Sequence, residues 1–206
     1  MSDVDVLIGQ LRSPRSPRRR ASAKKLRKLG DPTAGPALLD ALQRELLDPR
    51  TWETQYQMIM ALGHCEYKEA SPLLQTVAHR KFEATMVLTA VGDALVRIRR
   101  TSDNDPNPLF EVFAVSNDES LLDGALRAVA MLHMTFDPKV TASILEQVAE
   151  EEKSERLKFW AAAACTGWSG SAVDDFLAQC AVSTREDVRS AAADAKLKKY
   201  RKWNPL

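Results

Sequence analysis

Residues 20–42 read RASAKKLRKLGDPTAGPALLDAL, and this stretch predicts the end of one helix, a tight turn and the start of a second helix. Leu26 and Leu29 lie three positions apart on one helical face, and Gly30 supplies the permissive backbone that ends a helix. Asp31 suits an N-cap, and Pro32 suits a first helical turn. The stretch therefore predicts a joint between two helices.

Variants of this joint recur along the chain. Two adjacent apolar residues followed three positions later by a third mark the first helix of each pair, and the pattern starts at Leu7, Leu38, Leu73, Leu109, Ile144 and Phe176. The partner helices are marked by Leu29, Leu62, Leu95, Leu132, Thr166 and Tyr200. By subtraction the steps are 31 to 36 residues in the first series and 33 to 37 in the second. Two interleaved series with a shared period predict an all-α fold, an α-solenoid of about six helical hairpins.

The joints resemble those of the HEAT-repeat family, including its short bacterial HEAT-like versions. The resemblance is carried by LRKLGDPTAGPALLDAL at 26–42 and its echo MALGHCEYKEASPLLQTV at 60–77. In the family pattern the second helix ends in Ala-Leu-Gly, a short turn contains Asp and Pro, and Pro-x-Leu opens the next helix. The resemblance extends over nearly the whole chain and implies about six HEAT-like hairpins. HEAT proteins are mostly scaffolds that bind other proteins, and a minority bind nucleic acid or act as enzymes.

We expect one repeat domain over 1–206, with a tail at 201–206. Its units are predicted at about 3–30, 31–63, 68–99, 106–133, 137–167 and 171–200. The longest polar break, TSDNDPNP at 101–108, is the expected hinge or mobile loop. No stretch alternates apolar and polar residues over a useful length, so we predict no sheet.

Composition narrows the class of protein. The chain has 206 residues, of which 45% are hydrophobic and 28% charged, as in ordinary globular proteins. The net charge of +1 gives no general attraction to polyanions. The start MSDVDVLIGQL is unlike a signal peptide, and no window approaches a membrane span. Three cysteines without close spacing fit a reducing compartment, so we expect a cytoplasmic protein that does not bind membranes. The resemblance to short bacterial HEAT-like proteins implies a bacterial origin.

A basic segment near the N-terminus is one candidate interaction site. Between Arg12 and Lys28 there are nine Lys or Arg residues and no acidic residue, and a second basic cluster lies at 196–202. Clustered cations are what a phosphate-binding surface needs, whereas a solvated cap on the end repeat is the alternative. The candidate residues for binding nucleic acid or another polyanion are Arg18, Arg19, Arg20, Lys24, Arg27 and Lys28.

The inner ridge of the second helices is the other candidate site. Positions two and five before each marker residue are predicted to face away from the core, and they are mostly small or apolar with isolated charges. Such a ridge favours an extended or helical protein segment over nucleic acid. Alanines that let helices approach closely are the alternative explanation. The predicted groove residues are Trp52, Tyr56, Gln57, Met60, Asp93, Arg127 and Trp160.

Tryptophans near the C-terminus have two interpretations. Trp168 falls in a turn and Trp203 in the tail, where exposed aromatic residues often mark contacts. For Trp203, capping of the last core is the other explanation. Trp160 is level with Tyr56 by repeat alignment, which indicates a core or inner-face position.

The sequence carries little sign of catalysis. The three histidines lack metal-ligand spacing, and there is no phosphate-binding loop or nucleophile elbow. Two enzymatic HEAT groups remain as alternatives by resemblance: alkylpurine DNA glycosylases, which use an inner-face Asp comparable to Asp93, and phycobilin lyases, which have similar turns. We predict a non-catalytic protein-binding scaffold or adaptor with no cofactor or metal, and a nucleic-acid-binding module as the rival.

Overall fold

The computed structural model describes residues 2–116, 118–150, 155–203 and 206. In these residues it contains twelve α-helices and four short 3₁₀ turns, with no strand. Consecutive helices pack in pairs, as in a HEAT- or armadillo-like α-solenoid, so the predicted fold class is confirmed. The chain divides into two compact units, residues 1–99 (unit 1) and 100–206 (unit 2). Each is described by itself.

Unit 1 contains three helix pairs. Its helices are α1 (Asp3–Gln10), α2 (Ser16–Leu29), α3 (Gly35–Glu45), α4 (Trp52–His64), α5 (Ser71–Ala78) and α6 (Met86–Arg99). The second helices of the pairs form a layer in which α4 lies between α2 and α6 and also packs on α3.

Unit 2 repeats the arrangement. Its helices are α7 (Asn107–Val115), α8 (Glu119–Met131), α9 (Pro138–Glu150), α10 (Glu155–Ala164), α11 (Ser171–Ala181) and α12 (Glu186–Lys196). Here α10 packs against α8 and α12, while α9 packs against α11.

Four Asp-Pro steps begin helical turns in the same way. Asp31, Asp48, Asp105 and Asp137 each precede a proline and accept a hydrogen bond from the backbone N–H two positions on, at 2.9 to 3.1 Å. The carboxylate accepts from a backbone N–H that has no acceptor within the helix. Proline has the φ angle of a first helical turn and no backbone N–H that needs an acceptor. The recurring joint is therefore a local device that the dipeptide specifies.

Two glycines explain why the first joint is so tight. Gly30 ends α2 with φ of 62°, a left-handed conformation that costs a residue with a Cβ. A Cβ on Gly35 would lie 2.2 Å from Cδ2 and 2.9 Å from Cβ of Tyr67, which comes from the next joint. Glycine at 35 thus lets successive joints of unit 1 pack closely.

The second helices α4, α6 and α8 are covered on all faces over most of their length. Every residue from Thr54 to Gly63 of α4, from Val87 to Ile98 of α6 and from Ser120 to Ala130 of α8 is buried. The marker residues Leu62 and Leu95 are in this core, whereas Leu29 at the end of α2 is 54% exposed and Tyr200 lies beyond α12. The repeat pattern therefore identifies the core in the middle of the series better than at its ends.

The polar break between α6 and α7 has a defined conformation. Asp105 is buried, and its carboxylate accepts hydrogen bonds from Thr101 and Asn107. Burial alone would raise the pKa of Asp105, but these hydrogen bonds outweigh it and lower the pKa. Asn104 accepts a further bond from the backbone N–H of Thr135 at 2.9 Å. Hinge motion at this segment stays a prediction.

Candidate functional site

Six of the seven predicted groove residues are buried side chains. Tyr56, Met60 and Asp93 have no exposed surface, and the other three are at most 7% exposed; these are Gln57, Arg127 and Trp160. The positions two and five before each marker residue were expected to face outward. That expectation is wrong for Gln57, Met60, Asp93 and Arg127. Neighbouring second helices cover these positions, and in unit 2 Trp203 also covers Arg127. The binding role of these residues stays a prediction, but a partner would not reach them in this conformation.

Buried polar contacts cross the second-helix layer of unit 1. Arg27 of α2 donates from Nη1 to Oε1 of Gln57 on α4 at 2.9 Å, so a residue of the predicted basic patch meets one of the predicted groove. Within α6, Nε of Arg97 donates to Oδ1 of Asp93 at 2.6 Å. Buried polar groups need such partners, because an unpaired one loses its hydration without compensation. The contact of Arg27 with Gln57 thus links α2 to α4, whereas the pair of Arg97 and Asp93 satisfies buried charges within α6.

Trp52 differs from the buried groove residues, because it is partly exposed and borders an open cleft. The cleft occupies about 780 Å³ between the turn after α3 and the loop before α6. Its apolar wall includes Leu46, Leu47 and Phe82 beside Trp52, and Leu47 is 85% exposed. An exposed leucine next to partly exposed aromatic rings is typical of a surface that takes up an apolar side chain.

The rim of this cleft is basic. Arg80 and Lys81 line it, and the Arg80 guanidinium lies 5.5 Å from the ring centre of Phe82 and donates to the backbone oxygen of Leu46. Arg50 is also on the rim, but Asp48 neutralises it through two hydrogen bonds of 2.9 Å. Glu83 is the acidic residue among the lining side chains. The remaining positive charge favours carboxylates in a ligand.

Gln55 adds a polar group to the cleft lining. Its amide nitrogen donates to the backbone oxygens of Glu45 and Asp48 at 3.1 and 2.9 Å, which fixes the orientation of the amide. The opposite atom, Oε1, is buried and has no hydrogen-bond partner among the described residues. Gln55 therefore supports the wall of the cleft, because a bound segment would not reach its buried oxygen in this conformation.

The basic segment separates into engaged and exposed cations. Arg19 forms a bidentate pair with Glu45 at 2.6 and 2.9 Å, and Arg20 pairs with Glu53. These contacts hold α2 to its neighbours, and the hydrogen bond to Glu45 raises the pKa of Arg19. The exposed cations of α2, which form no ion pair in the described part of the chain, are Arg18, Lys24, Lys25 and Lys28.

In unit 2 the predicted groove residues Arg127 and Trp160 meet through a third residue. The ring of Trp203 lies 4.0 Å from the Arg127 guanidinium carbon and meets Trp160 edge-on, with ring centres 6.2 Å apart. Trp168, in contrast, is 1% exposed and donates from its indole N–H to the backbone oxygen of Met134 at 2.9 Å. The suggestion that Trp168 marks an exposed contact is wrong, because its ring fills the core.

Asp123 is a buried carboxylate that the sequence did not single out. It lies on α8, and Nε of Arg156 is 3.7 Å from its Oδ1. Burial raises its pKa to about 6, although Arg156, Arg127 and Arg185 oppose that rise and Glu119 adds to it. A raised pKa at a carboxylate surrounded mainly by arginines is by itself weak evidence for acid–base chemistry.

The thiols and potential metal ligands do not form a reactive cluster in the part of the chain that the structure describes. Burial raises the pKa of Cys65 and of Cys180 to about 11 and raises that of Cys165 further, so these thiols stay protonated near neutral pH. No group of three or more His, Cys, Asp or Glu residues among those described is placed to hold a metal ion. No described helix is long and apolar enough to cross a membrane.

The fold and its surfaces define a helical repeat protein of the HEAT- or armadillo-like class. Residues 18–44 match the family described as PBS lyase HEAT-like repeat, which confirms the resemblance seen at 26–42. That name describes the family and assigns no activity to this chain. No curated protein matches the sequence.

One solved structure supports the fold, and two others are reported as similar chains. An engineered protein of the Northeast Structural Genomics Consortium is 17% identical over 96% of this chain and 98% of its own, with a TM-score of 0.50. A designed armadillo repeat protein is 17% identical over 95% and 99%, with a TM-score of 0.45. Another one, solved in complex with the peptide (KR)4, is 16% identical over 96% and 99%, with a TM-score of 0.43. At these identities the likeness concerns the fold alone.

Proposed function

We propose that the chain is a non-catalytic protein-binding scaffold or adaptor, and that the cleft of unit 1 holds a segment of its partner. The observation that carries this proposal is the juxtaposition of exposed Leu47, partly exposed Trp52 and the basic rim of Arg80 and Lys81. The inner-face residues chosen from the sequence are covered, so the proposal keeps Trp52 and moves the binding surface to the cleft.

The lining specifies the chemistry of the partner segment. Its apolar wall suits one or two large apolar side chains, and a volume of about 780 Å³ accommodates them. Arg80 and Lys81 favour carboxylates beside those side chains. We therefore expect an extended or helical segment in which apolar residues are flanked by Asp or Glu.

The test is capture of the partner by cleft variants. The tagged wild-type chain, Leu47→Asp/Lys81→Glu and the control Val182→Asp are used to recover proteins from native lysate with and without nuclease. Val182 is 83% exposed and lies in unit 2, so the control replaces an equally exposed apolar side chain away from the cleft. Exposed substitutions of this kind change stability by within about 0.5 kcal/mol, and circular dichroism checks the folding.

We expect a discrete protein that wild type and Val182→Asp recover in equal amount, with or without nuclease, and that the cleft variant loses. Equal recovery by the cleft variant would exclude the cleft as the binding surface. A partner that disappears on nuclease treatment would exclude direct protein binding.

A second function, binding of a polyanion through α2, is favoured by the exposed cations Arg18, Lys24, Lys25 and Lys28. Replacing Arg18, Lys24 and Lys28 with glutamine should weaken binding to a labelled DNA oligonucleotide. The plot of log affinity against log salt concentration should also become less steep, by about 0.9 for each phosphate that the variant no longer neutralises. Lys68, Lys81 and Lys139 are exposed and scattered, so their triple replacement is the matched control. Binding that is insensitive to salt would contradict this function.

A further inference from the structure

The segment that follows α12 lies on the second helices of unit 2 as a bound peptide would. Trp203 packs on Arg127 of α8 and on the edge of Trp160 of α10. Tyr200 stacks on His133 with ring centres 3.9 Å apart. The segment has no helical or strand structure of its own at 201–203, so side-chain contacts hold it in place.

Arg201 provides the charged anchor of the segment. Its Nη2 lies 2.9 Å from Oδ2 of Asp194 on α12 and also donates to Ser190. Its guanidinium carbon lies 5.4 Å from the ring centre of Phe159 on α10. Lys202, between the two anchored residues, is exposed. The contacted side chains thus read an aromatic–Arg–x–Trp pattern and ignore the third position.

We propose that the surface formed by Arg127, His133, Phe159, Trp160 and Asp194, here called the α8–α12 face, is a recognition site for a protein segment of the pattern aromatic–Arg–x–Trp. Residues 200–203 of the chain are its resident occupant, and a partner segment of the same chemistry replaces them. The proposal rests on the proposed protein-binding function only for the nature of the partner, since the cleft lies in unit 1.

One observation and one physical argument support a replaceable occupant. Trp203 remains partly exposed, whereas Trp168, a tryptophan of the core, is 1% exposed. Moreover, an attached segment competes at an effective concentration in the millimolar range for a short flexible connection, so a free ligand binds poorly until the segment is weakened. The resident residues therefore also limit access to the face.

The experiment measures binding of a fluorescein-labelled peptide, KYRKWNPL, which corresponds to residues 199–206. Its affinity is measured by fluorescence anisotropy for the full-length wild type, Trp203→Ala, Arg201→Ala and the control Lys202→Ala. We expect binding at least tenfold tighter to Trp203→Ala than to wild type, an intermediate affinity for Arg201→Ala, and no change for Lys202→Ala. A peptide with alanine in place of its tryptophan should not bind.

Equal peptide affinities for wild type and for both opened variants would overturn the proposal, as would equal binding of the alanine peptide. Circular dichroism checks that each variant is folded. If Trp203→Ala does not fold, the comparison of Arg201→Ala with wild type still tests the proposal. Light scattering addresses a second copy as the occupant: a concentration-dependent dimer of wild type that Trp203→Ala abolishes would overturn the assignment to a partner protein. Leu47→Asp/Lys81→Glu should bind the peptide like wild type, so failure here and failure of the cleft are distinguishable.

Discussion

Asp93 of unit 1 and Asp123 of unit 2 are both buried carboxylates on second helices, but their surroundings differ. Asp93 accepts a hydrogen bond of 2.6 Å from Arg97, one turn further along α6. Asp123 has Arg156 at 3.7 Å, beyond hydrogen-bond distance, and burial raises its pKa to about 6. Burial alone therefore does not determine how much free energy of folding a buried carboxylate costs. The cost depends on whether a hydrogen bond replaces the lost hydration.

The largest expected effect is that of removing Asp93. Asp93→Ala leaves the Arg97 guanidinium buried beside a cavity, and breaking a buried ion pair in this way costs about 3–5 kcal/mol of the free energy of unfolding. Chemical denaturation followed by circular dichroism measures the loss. A loss below about 1 kcal/mol would mean that Arg97 reaches water or another partner without cost, which would break the comparison.

Asp123→Asn should change stability in the opposite direction. At pH 7 Asp123 is ionised in the folded and in the unfolded chain. Its raised pKa, about two units above the ordinary value, means that the ionised carboxylate lowers the free energy of unfolding by up to about 3 kcal/mol. Asparagine removes the charge but keeps a buried polar group, so we expect a gain of about 1–3 kcal/mol at pH 7. Destabilisation at pH 7 would show that Arg127, Arg156 and Arg185 outweigh the burial.

The pH dependence of this gain has a definite sign. As pH falls through about 6 towards 4, folded Asp123 takes up a proton before unfolded Asp123 does, so wild type gains stability relative to the asparagine variant. The difference between the two should therefore shrink between pH 7 and pH 4. Asp48 and Asp187 have lowered pKa values, so their contributions to stability are lost only at lower pH, and they are shared by both proteins. Denaturation curves at four pH values measure the difference.

Replacing Arg156 should have a smaller effect. Arg156→Gln removes an attraction that acts across 3.7 Å from a side chain that is about one-third exposed, so we expect a loss of about 1 kcal/mol or less at pH 7. The pKa of Asp123 should rise further, because this cation opposes the rise. Titration of the Asp123 carboxyl by NMR checks the shift. An unchanged pKa would show that Arg156 does not lower the pKa of Asp123.

The smallest effect is expected for Asp40→Ala. Asp40 and Arg44 of α3 have the same spacing as Asp93 and Arg97, but both side chains are more than half exposed. Exposed helical pairs at this spacing contribute about 0.3–0.5 kcal/mol, and salt screens them. If this variant cost as much as Asp93→Ala, burial would not be the source of the difference.

Sequence patterns predicted the helices closely, because their ends are local. The joint expected within 20–42 is observed, because α2 ends at Leu29 and α3 begins at Gly35, and the markers Leu73 and Phe176 lie in α5 and α11 as expected of first helices. Asp-Pro steps and Gly30 act through the backbone of their own turn, so no distant residue is needed to make them. The fold class followed from the repetition of such turns.

The candidate site was predicted less well. Trp52 borders the cleft, but nothing in the sequence pattern placed Arg80 and Phe82 beside it. These two residues come from the loop before α6, which belongs to the next predicted repeat. Asp123 carried no signal in the repeat pattern, because its raised pKa comes from burial in the folded chain and is opposed by Arg156 on α10 and Arg185 before α12. The polar–aromatic spacing of residues 200–203 was the available signal for the α8–α12 face.

The sequence by itself therefore determined the helical repeat, the position of each joint and the basic character of α2. The tertiary structure alone decided which faces of the second helices meet water. A helical period assigns residues to faces but does not say how many neighbours a helix has, and α4 is flanked by α2, α3 and α6. Positions such as Gln57 and Met60 are consequently buried between helices, while Leu47, at the end of a first helix, is left exposed at the cleft.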